Sequence, residues 1–63
     1  MITEGTPIRN IRQGDEILTP DGRAKVKSIF KSGIFIYVEM DVNDKADRTW
    51  FYSHESVHKV IEG

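Results

Sequence analysis

The chain has 63 residues, a formal net charge of −1 and no cysteine. This length predicts a single domain over residues 1–63 with a small core. The absence of cysteine excludes disulfides and thiolate metal sites, and the near-neutral charge argues against a dedicated nucleic-acid binder. The N-terminal residues carry no apolar run typical of a signal peptide, and no stretch approaches transmembrane length. We therefore expect a soluble, cytoplasmic protein that does not contact membranes.

The charge is unevenly distributed along the chain. Residues 1–33 hold six basic and four acidic residues, a net charge of +2, whereas residues 34–63 hold three basic and six acidic residues, a net charge of −3. The basic residues of the first half are Arg9, Arg12, Arg23, Lys25, Lys27 and Lys31. Arg23, Lys25 and Lys27 alternate along one predicted strand. They form either a basic stripe that contacts phosphates or the ordinary solvent-exposed face of the strand.

The first half of the chain predicts a β-hairpin. Helical character is limited there to "TPIRNIRQG", and "GDEILTPDGRAKVKSIF" predicts a strand, a turn and a strand. Pro20 presets the backbone for the second position of a turn, and Asp21 and Gly22 suit its close. Ala24 and Val26 then alternate with charged residues, which is typical of a half-buried strand.

The second half predicts three more strands. "IFIYVEMDV" is rich in β-branched and aromatic residues, and alternation places Ile36, Val38 and Met40 on one face. Its other face carries Phe35, Tyr37, Glu39 and Asp41. "NDKAD" is predicted to be a loop and "RTWFYS" the fourth strand, followed by a short helical turn at residues 53–56 and a last strand, "HKVIE".

Five short strands with one helical turn before the last indicate a small, strongly bent all-β barrel. The segments "GDEILTPDG", "RAKVKSI", "IFIYVEM", "TWFYS" and "SVHKV" resemble, in order and spacing, the SH3-like barrels over about residues 13–62. The resemblance implies a single five-stranded SH3-like domain.

A second resemblance covers residues 5–22. The stretch "GTPIRNIRQGDEILTPDG" is similar to the opening of Hint domains, the self-splicing fold of inteins. That family needs a Cys or Ser nucleophile at its first position and a His-Asn ending. This chain offers Thr3 and Thr6 near its start and ends in "VIEG", so the resemblance implies a shared turn without the splicing chemistry.

The segment "HESVH" matches the zinc-peptidase pattern H-E-x-x-H at His54, Glu55 and His58. In such enzymes the two histidines lie one helical turn apart and a third ligand completes the site. Strand-forming residues flank this segment and no third ligand follows at a suitable spacing, so we interpret the match as accidental. The acidic loop "DVNDKAD" likewise lacks the Gly and Glu of a calcium-binding loop. We expect no metal, no cofactor and no catalytic residues.

Aromatic side chains are the most informative feature. We expect Phe51, Phe30 and one of the larger rings to fill the interior, and Trp50 to lie at least partly outside, beside Tyr37. The chain is too small to bury all six aromatic residues, and exposed aromatics on a small domain often mark a binding face. The predicted partner-binding residues are Phe35, Tyr37, Glu39, Asp41, Trp50 and Tyr52.

Three functions follow from these residues. The first is a small non-enzymatic binding module, a regulator or inhibitor, that docks on a protein partner or on a second copy of itself. The second is a weak nucleic-acid-binding barrel that uses the basic residues of the first half together with stacking aromatics. The third is a small-barrel enzyme that is active only as an oligomer. The near-neutral charge favours the first.

Overall fold

A computed structural model describes residues 1–62. In chain order its elements are β1 (Ile2–Pro7), a 3₁₀ turn (Ile8–Asn10), β2 (Glu16–Thr19), β3 (Gly22–Ser32), β4 (Phe35–Val42), β5 (Lys45–Tyr52) and β6 (Ser56–Glu62). Neighbouring strands are antiparallel and form one sheet in the order β1-β6-β2-β3-β4-β5. The predicted all-β class is confirmed. The described residues contain no helix long and apolar enough to cross a membrane.

The predicted hairpin between β2 and β3 is confirmed. Thr19 lies opposite Gly22 across the two-residue turn. The Thr19 hydroxyl donates to the Gly22 carbonyl at 2.8 Å and accepts from the Asp21 N–H at 3.2 Å. Gly22 has a φ of 125°, which residues with a side chain rarely adopt. Local polar groups and one glycine therefore fix this turn.

The hairpin between β4 and β5 is tighter than predicted. Asn43 and Asp44 have φ values of 52° and 63°, and Val42 lies opposite Lys45. Two central residues with positive φ are the signature of a type I′ turn, whose twist matches that of the strands. The five-residue loop predicted for "NDKAD" is therefore wrong, since β5 already begins at Lys45.

The predicted five-stranded barrel with a helical turn before the last strand is corrected in three respects. The sheet has a sixth strand, β1, which has no apolar alternation and could not be recognised from the sequence. The sheet is open among the described residues, because its two edge strands, β1 and β5, do not pair with each other. The residues before β6 form a turn closed by the Glu55 N–H and the Tyr52 carbonyl at 2.9 Å. The only helical segment of residues 1–62 is the early 3₁₀ turn, inside "TPIRNIRQG".

The core lies on one face of the sheet, which we call the inner face. It combines residues of the 3₁₀ segment with alternate residues of β2, β3 and β4, namely Ile8, Ile11, Ile17, Ala24, Val26, Ile36, Val38, Met40 and Val42. Ile29, Phe51 and Val57 pack against it and are partly buried. The inner face predicted for β4 is therefore confirmed, and the described residues bury no polar side chain.

A β-bulge in β3 changes which aromatic residues reach the core. The register with β4 shifts between Val26 and Ser28. The bulge lies where Val26 forms hydrogen bonds with the segment before β2. The Val26 N–H donates to the Asp15 carbonyl at 2.8 Å, and the Val26 carbonyl accepts from the Gly14 N–H at 2.9 Å. Beyond a bulge the side-chain alternation is reversed. Phe30 is therefore 56% exposed, and its predicted interior position is wrong.

Candidate functional site

One side of β3, β4 and β5 carries nearly all the aromatic rings of the protein, and we call it the outer face. Cross-strand pairing aligns Phe35 with Tyr52, and Tyr37 with both Trp50 and Phe30. The same face continues through Glu39 and Asp41, which pair with Arg48 and Ala46. The structure thus brings together on one surface all six residues predicted to bind a partner: Phe35, Tyr37, Glu39, Asp41, Trp50 and Tyr52.

The rings on the outer face form a continuous array. Tyr37 and Trp50 have centroids 4.8 Å apart, and Phe35 and Tyr52 have centroids 5.1 Å apart. Phe35 also meets Trp50 edge-on, at 6.2 Å and 87°, and Phe30 stacks on Tyr37 at 6.2 Å. These separations lie in the favourable range for aromatic pairs, so the rings hold one another in place.

His54 extends the array past the end of β5. Its ring stacks on Tyr52 with a centroid distance of 5.6 Å. We define the aromatic cluster as Phe30, Phe35, Tyr37, Trp50, Tyr52 and His54. Trp50 is 59% exposed and Phe35 41% exposed, and a shallow apolar notch of about 300 Å³ lies between them. A continuous aromatic surface of this kind typically marks an interaction site rather than ordinary surface.

The predicted orientation of Trp50 and Phe51 is confirmed. Trp50 lies on the outer face beside Tyr37, whereas Phe51 faces inward and packs against the core. We expect the fluorescence of Trp50 to be red-shifted and readily quenched by acrylamide in the free protein, because its indole is in contact with water. A blue-shifted emission that resists the quencher would place the strand in the opposite register and remove Trp50 from the outer face.

Charged residues occupy the other end of the outer face. Arg48 Nη1 donates a long hydrogen bond to the Tyr37 hydroxyl at 3.5 Å. This hydrogen bond, together with the attraction of Tyr37 and Glu39, raises the pKa of the Arg48 guanidinium above its ordinary value. Lys27 Nζ lies 3.7 Å from Asp41 Oδ1. The aromatic cluster is therefore bordered by charges of both signs, with a permanently cationic Arg48 next to its centre.

The structure does not combine the six basic residues of the first half into one patch. Arg9 and Arg12 lie at the 3₁₀ segment, and the Lys31 ammonium donates to the Arg9 carbonyl at 3.3 Å. Within the predicted stripe on β3, Arg23 pairs with Glu16 at 3.4 Å and Lys27 pairs with Asp41, while Lys25 lies opposite both of these acids. Interleaved carboxylates therefore offset the positive potential that phosphate binding requires.

The H-E-x-x-H match has no helical geometry. His54 lies in the turn after β5, and His58 lies within β6 opposite Gly5. Glu55 is engaged elsewhere, since its carboxylate accepts from the Tyr52 N–H at 2.7 Å. No three His, Cys, Asp or Glu side chains among residues 1–62 are grouped as metal ligands would be.

We predict that neither histidine supports a specific zinc site. Replacing His58 with alanine should leave the fold unchanged and should not alter the zinc content of the purified protein. Elemental analysis of the wild-type and His58→Ala proteins provides the test. Stoichiometric zinc that is lost in the variant would contradict the prediction.

Sequence reasoning missed Phe30, Arg48 and His54 as members of this surface. Arg48 could have been found, because it precedes Trp50 and Tyr52 by two and four residues on the same strand and therefore faces the same side. Phe30 could not, since its orientation depends on the bulge. Comparisons with protein-family models, curated proteins and solved structures found no match for this chain. The function of this surface is therefore inferred from its geometry.

Proposed function

We propose that the protein is a non-enzymatic binding module that docks on a protein partner through the aromatic cluster and the adjoining Glu39, Asp41 and Arg48. One observation carries this proposal: the rings pack against one another on the outer face, while the core is built almost entirely from aliphatic side chains. A small domain gains most from burying its largest apolar side chains. Their placement outside is best explained by burial against a partner.

The composition of the surface supports a protein partner. Interface centres are enriched in Trp, Tyr, Phe and Arg, and the residues that dominate binding energies are most often Trp, Tyr and Arg. The outer face supplies these types at its centre, namely Tyr37, Trp50 and Arg48. Glu39 and Asp41 lie at its margin, where a polar rim excludes water from the centre of an interface.

We further propose that the fold is an open member of the SH3-like architecture. The support is the consecutive antiparallel order of β2, β3, β4 and β5 and the bend that the bulge introduces into the long strand β3. The additional strand β1 pairs with β6 at the opposite edge from β5.

The test is affinity capture from the host followed by mass spectrometry, with the wild-type protein and the Tyr37→Ala variant as baits. A protein partner should be retained after nuclease treatment and depleted in the Tyr37→Ala sample. Capture that depends on intact nucleic acid, or that is equal for both baits, would contradict the proposal.

We expect the protein to bind nucleic acid only weakly. The basic residues are dispersed and partly paired, so association should stay within the non-specific range of roughly 10⁻⁴–10⁻⁶ M and fall steeply with added salt. Fluorescence anisotropy with a single-stranded DNA oligonucleotide at two salt concentrations measures this. Submicromolar binding at physiological salt would favour the nucleic-acid alternative.

A further inference from the structure

The sheet ends at β5, which has no strand neighbour on its far side among residues 1–62. In an antiparallel ladder, alternate residues turn their N–H and C=O groups away from the paired strand. The backbone N–H and C=O groups of Tyr52 point away from β4. The N–H donates to Glu55 Oε2, and the carbonyl accepts from the Glu55 N–H. Because this orientation repeats at every second residue, the backbone N–H and C=O groups of Trp50, Arg48 and Ala46 also point towards the free edge.

Part of this edge is already covered. Asp47 Oδ1 accepts from the Arg48 N–H at 2.8 Å. Within the described part of the chain, no hydrogen bond involves the outward N–H and C=O groups of Ala46 and Trp50 or the C=O group of Arg48. Unpaired edge groups are a template for an additional strand. The edge of β5 is therefore open over residues 46–50, except at the Arg48 N–H.

A cleft of about 270 Å³ lies beside this edge, on the inner face of the sheet. Side chains of β5 line one wall and side chains of β2 and the start of β6 line the other, including Leu18, Thr49, Phe51 and Val57. The volume is just below the range of about 300–1,000 Å³ that is usual for small-molecule pockets, so it suits one or two apolar side chains. Asp21 and Asp47 also line the cleft, and neither forms an ion pair within residues 1–62.

We propose that an extended segment of the partner protein pairs antiparallel with residues 46–50 of β5 and has the alternating pattern apolar–x–apolar–x–basic. Its two apolar side chains lie opposite Phe51 and Thr49 and enter the cleft, and its basic side chain lies opposite Asp47. Backbone pairing then supplies affinity and the cleft supplies specificity, as in other cases of strand addition. This inference rests on the proposed function and names the form of the segment that binds.

A second copy of β5 does not supply this pattern. The inward-facing residues of β5 are Lys45, Asp47, Thr49 and Phe51. Its only basic inward-facing residue is Lys45, and placing Lys45 opposite Asp47 leaves no apolar residue of β5 opposite Thr49 or Phe51. The two registers centred nearest the middle of the open edge are also unfavourable. In a two-fold antiparallel pair centred on Thr49, Asp47 would lie against the partner's apolar Phe51. In one centred on Arg48, two guanidinium groups would lie side by side. Like charges directly opposite are destabilising, and so is an acid against an apolar ring.

The experiment is an NMR titration of ¹⁵N-labelled protein with the blocked nonapeptide Ser-Thr-Val-Thr-Val-Thr-Lys-Thr-Ser. The first Val is designed to lie opposite Phe51 and the Lys opposite Asp47. We expect saturable binding with the largest amide shifts at residues 46–50. N-methylation of the Thr between the two Val residues removes the donor that meets the Trp50 carbonyl. It should weaken binding about fivefold or more, the usual factor for one lost hydrogen bond.

Two protein variants complete the test. Ala46→Pro deletes an outward N–H at a position where an edge strand tolerates proline, and it should weaken peptide binding by a similar factor. Asp47→Asn keeps an oxygen to accept from the Arg48 N–H but removes the charge. Asp47→Asn should weaken binding of the Lys peptide. It should not weaken binding of a peptide in which Gln replaces the Lys, because both changes remove the same charge pair.

Each outcome bears on one proposal. Absence of saturable binding, or equal binding of the N-methylated peptide, would overturn strand addition at β5. If the amide shifts at residues 46–50 depended on protein concentration alone, the strand that pairs with β5 would be a second copy of the chain and not a partner segment. Tyr37→Ala should leave peptide binding unchanged, since the peptide does not reach Tyr37, and yet it should weaken capture of the host partner. If Tyr37→Ala did not weaken capture of the host partner, that result would contradict the proposed role of the outer face.

Discussion

Replacement of Ile17 with alanine is expected to unfold a large fraction of the protein at room temperature. The Ile17 side chain is completely buried in the core cluster. Its backbone lies opposite Ala24 on β3 and Lys59 on β6, so it is placed where β2 holds these two strands together. Truncating a buried isoleucine costs about 2–5 kcal/mol. That loss is comparable to the whole stability expected of a domain of this size.

Urea denaturation followed by circular dichroism measures this effect, and the adjacent Leu18 provides the matched control. Leu18 has the same side-chain volume but is 36% exposed at the rim of the cleft. Leu18→Ala should change the free energy of unfolding by about 1 kcal/mol or less, as is usual away from the core. Equal losses in the two variants would mean that the core is not organised around Ile17.

Replacement of Tyr37 with alanine is expected to weaken partner binding by about 2 kcal/mol or more, which is roughly thirtyfold, while leaving the protein folded. Tyr37 lies at the centre of the aromatic cluster, between Phe30 and Trp50. Its side chain projects from the face of β4 opposite to Ile36 and Val38, so the core remains intact. Central aromatic residues that a partner shields from water carry most of the binding energy of an interface.

The conservative variant Tyr37→Phe separates the ring from the hydroxyl. It keeps the stack with Trp50 and loses the hydrogen bond from Arg48. Binding should therefore stay within a few-fold of wild type, because exposed polar contacts contribute little. The captured partner, titrated against each variant by calorimetry, gives the affinities. A Phe variant as weak as the Ala variant would assign the effect to the hydroxyl rather than to the ring.

The features that the sequence predicted correctly are those set by neighbouring residues. The β2–β3 turn depends on Asp21, Gly22 and the adjacent Thr19, and the inner face of β4 depends on the alternation of Ile36, Val38 and Met40. The orientation of Trp50 follows from the same logic, since two consecutive residues of a regular strand cannot both face the core. Five of the six rings in the aromatic cluster lie on β4, on β5 or in the turn after β5, where local alternation holds.

The features that could not be predicted depend on contacts between distant segments. Phe30 faces outward because the bulge forms where Val26 meets Gly14 and Asp15, twelve and eleven residues earlier in the chain. β1 is a strand because β6 is beside it, and none of its own side chains is fully buried. The free edge of β5 likewise depends on which strands pair, which the alternation within one strand does not specify.

The position of β6 has a consequence for how the chain folds. β6 is the last strand of residues 1–62, yet it lies between β1 and β2. The meander from β2 to β5 can form first, because each of its hairpins joins residues close in sequence. Until β6 docks, β1 has no partner strand and Ile17 lacks its neighbour Lys59. During synthesis the protein therefore completes its fold only after residues 56–62 have left the ribosome, and before that point it exposes an unpaired β2 edge that favours aggregation.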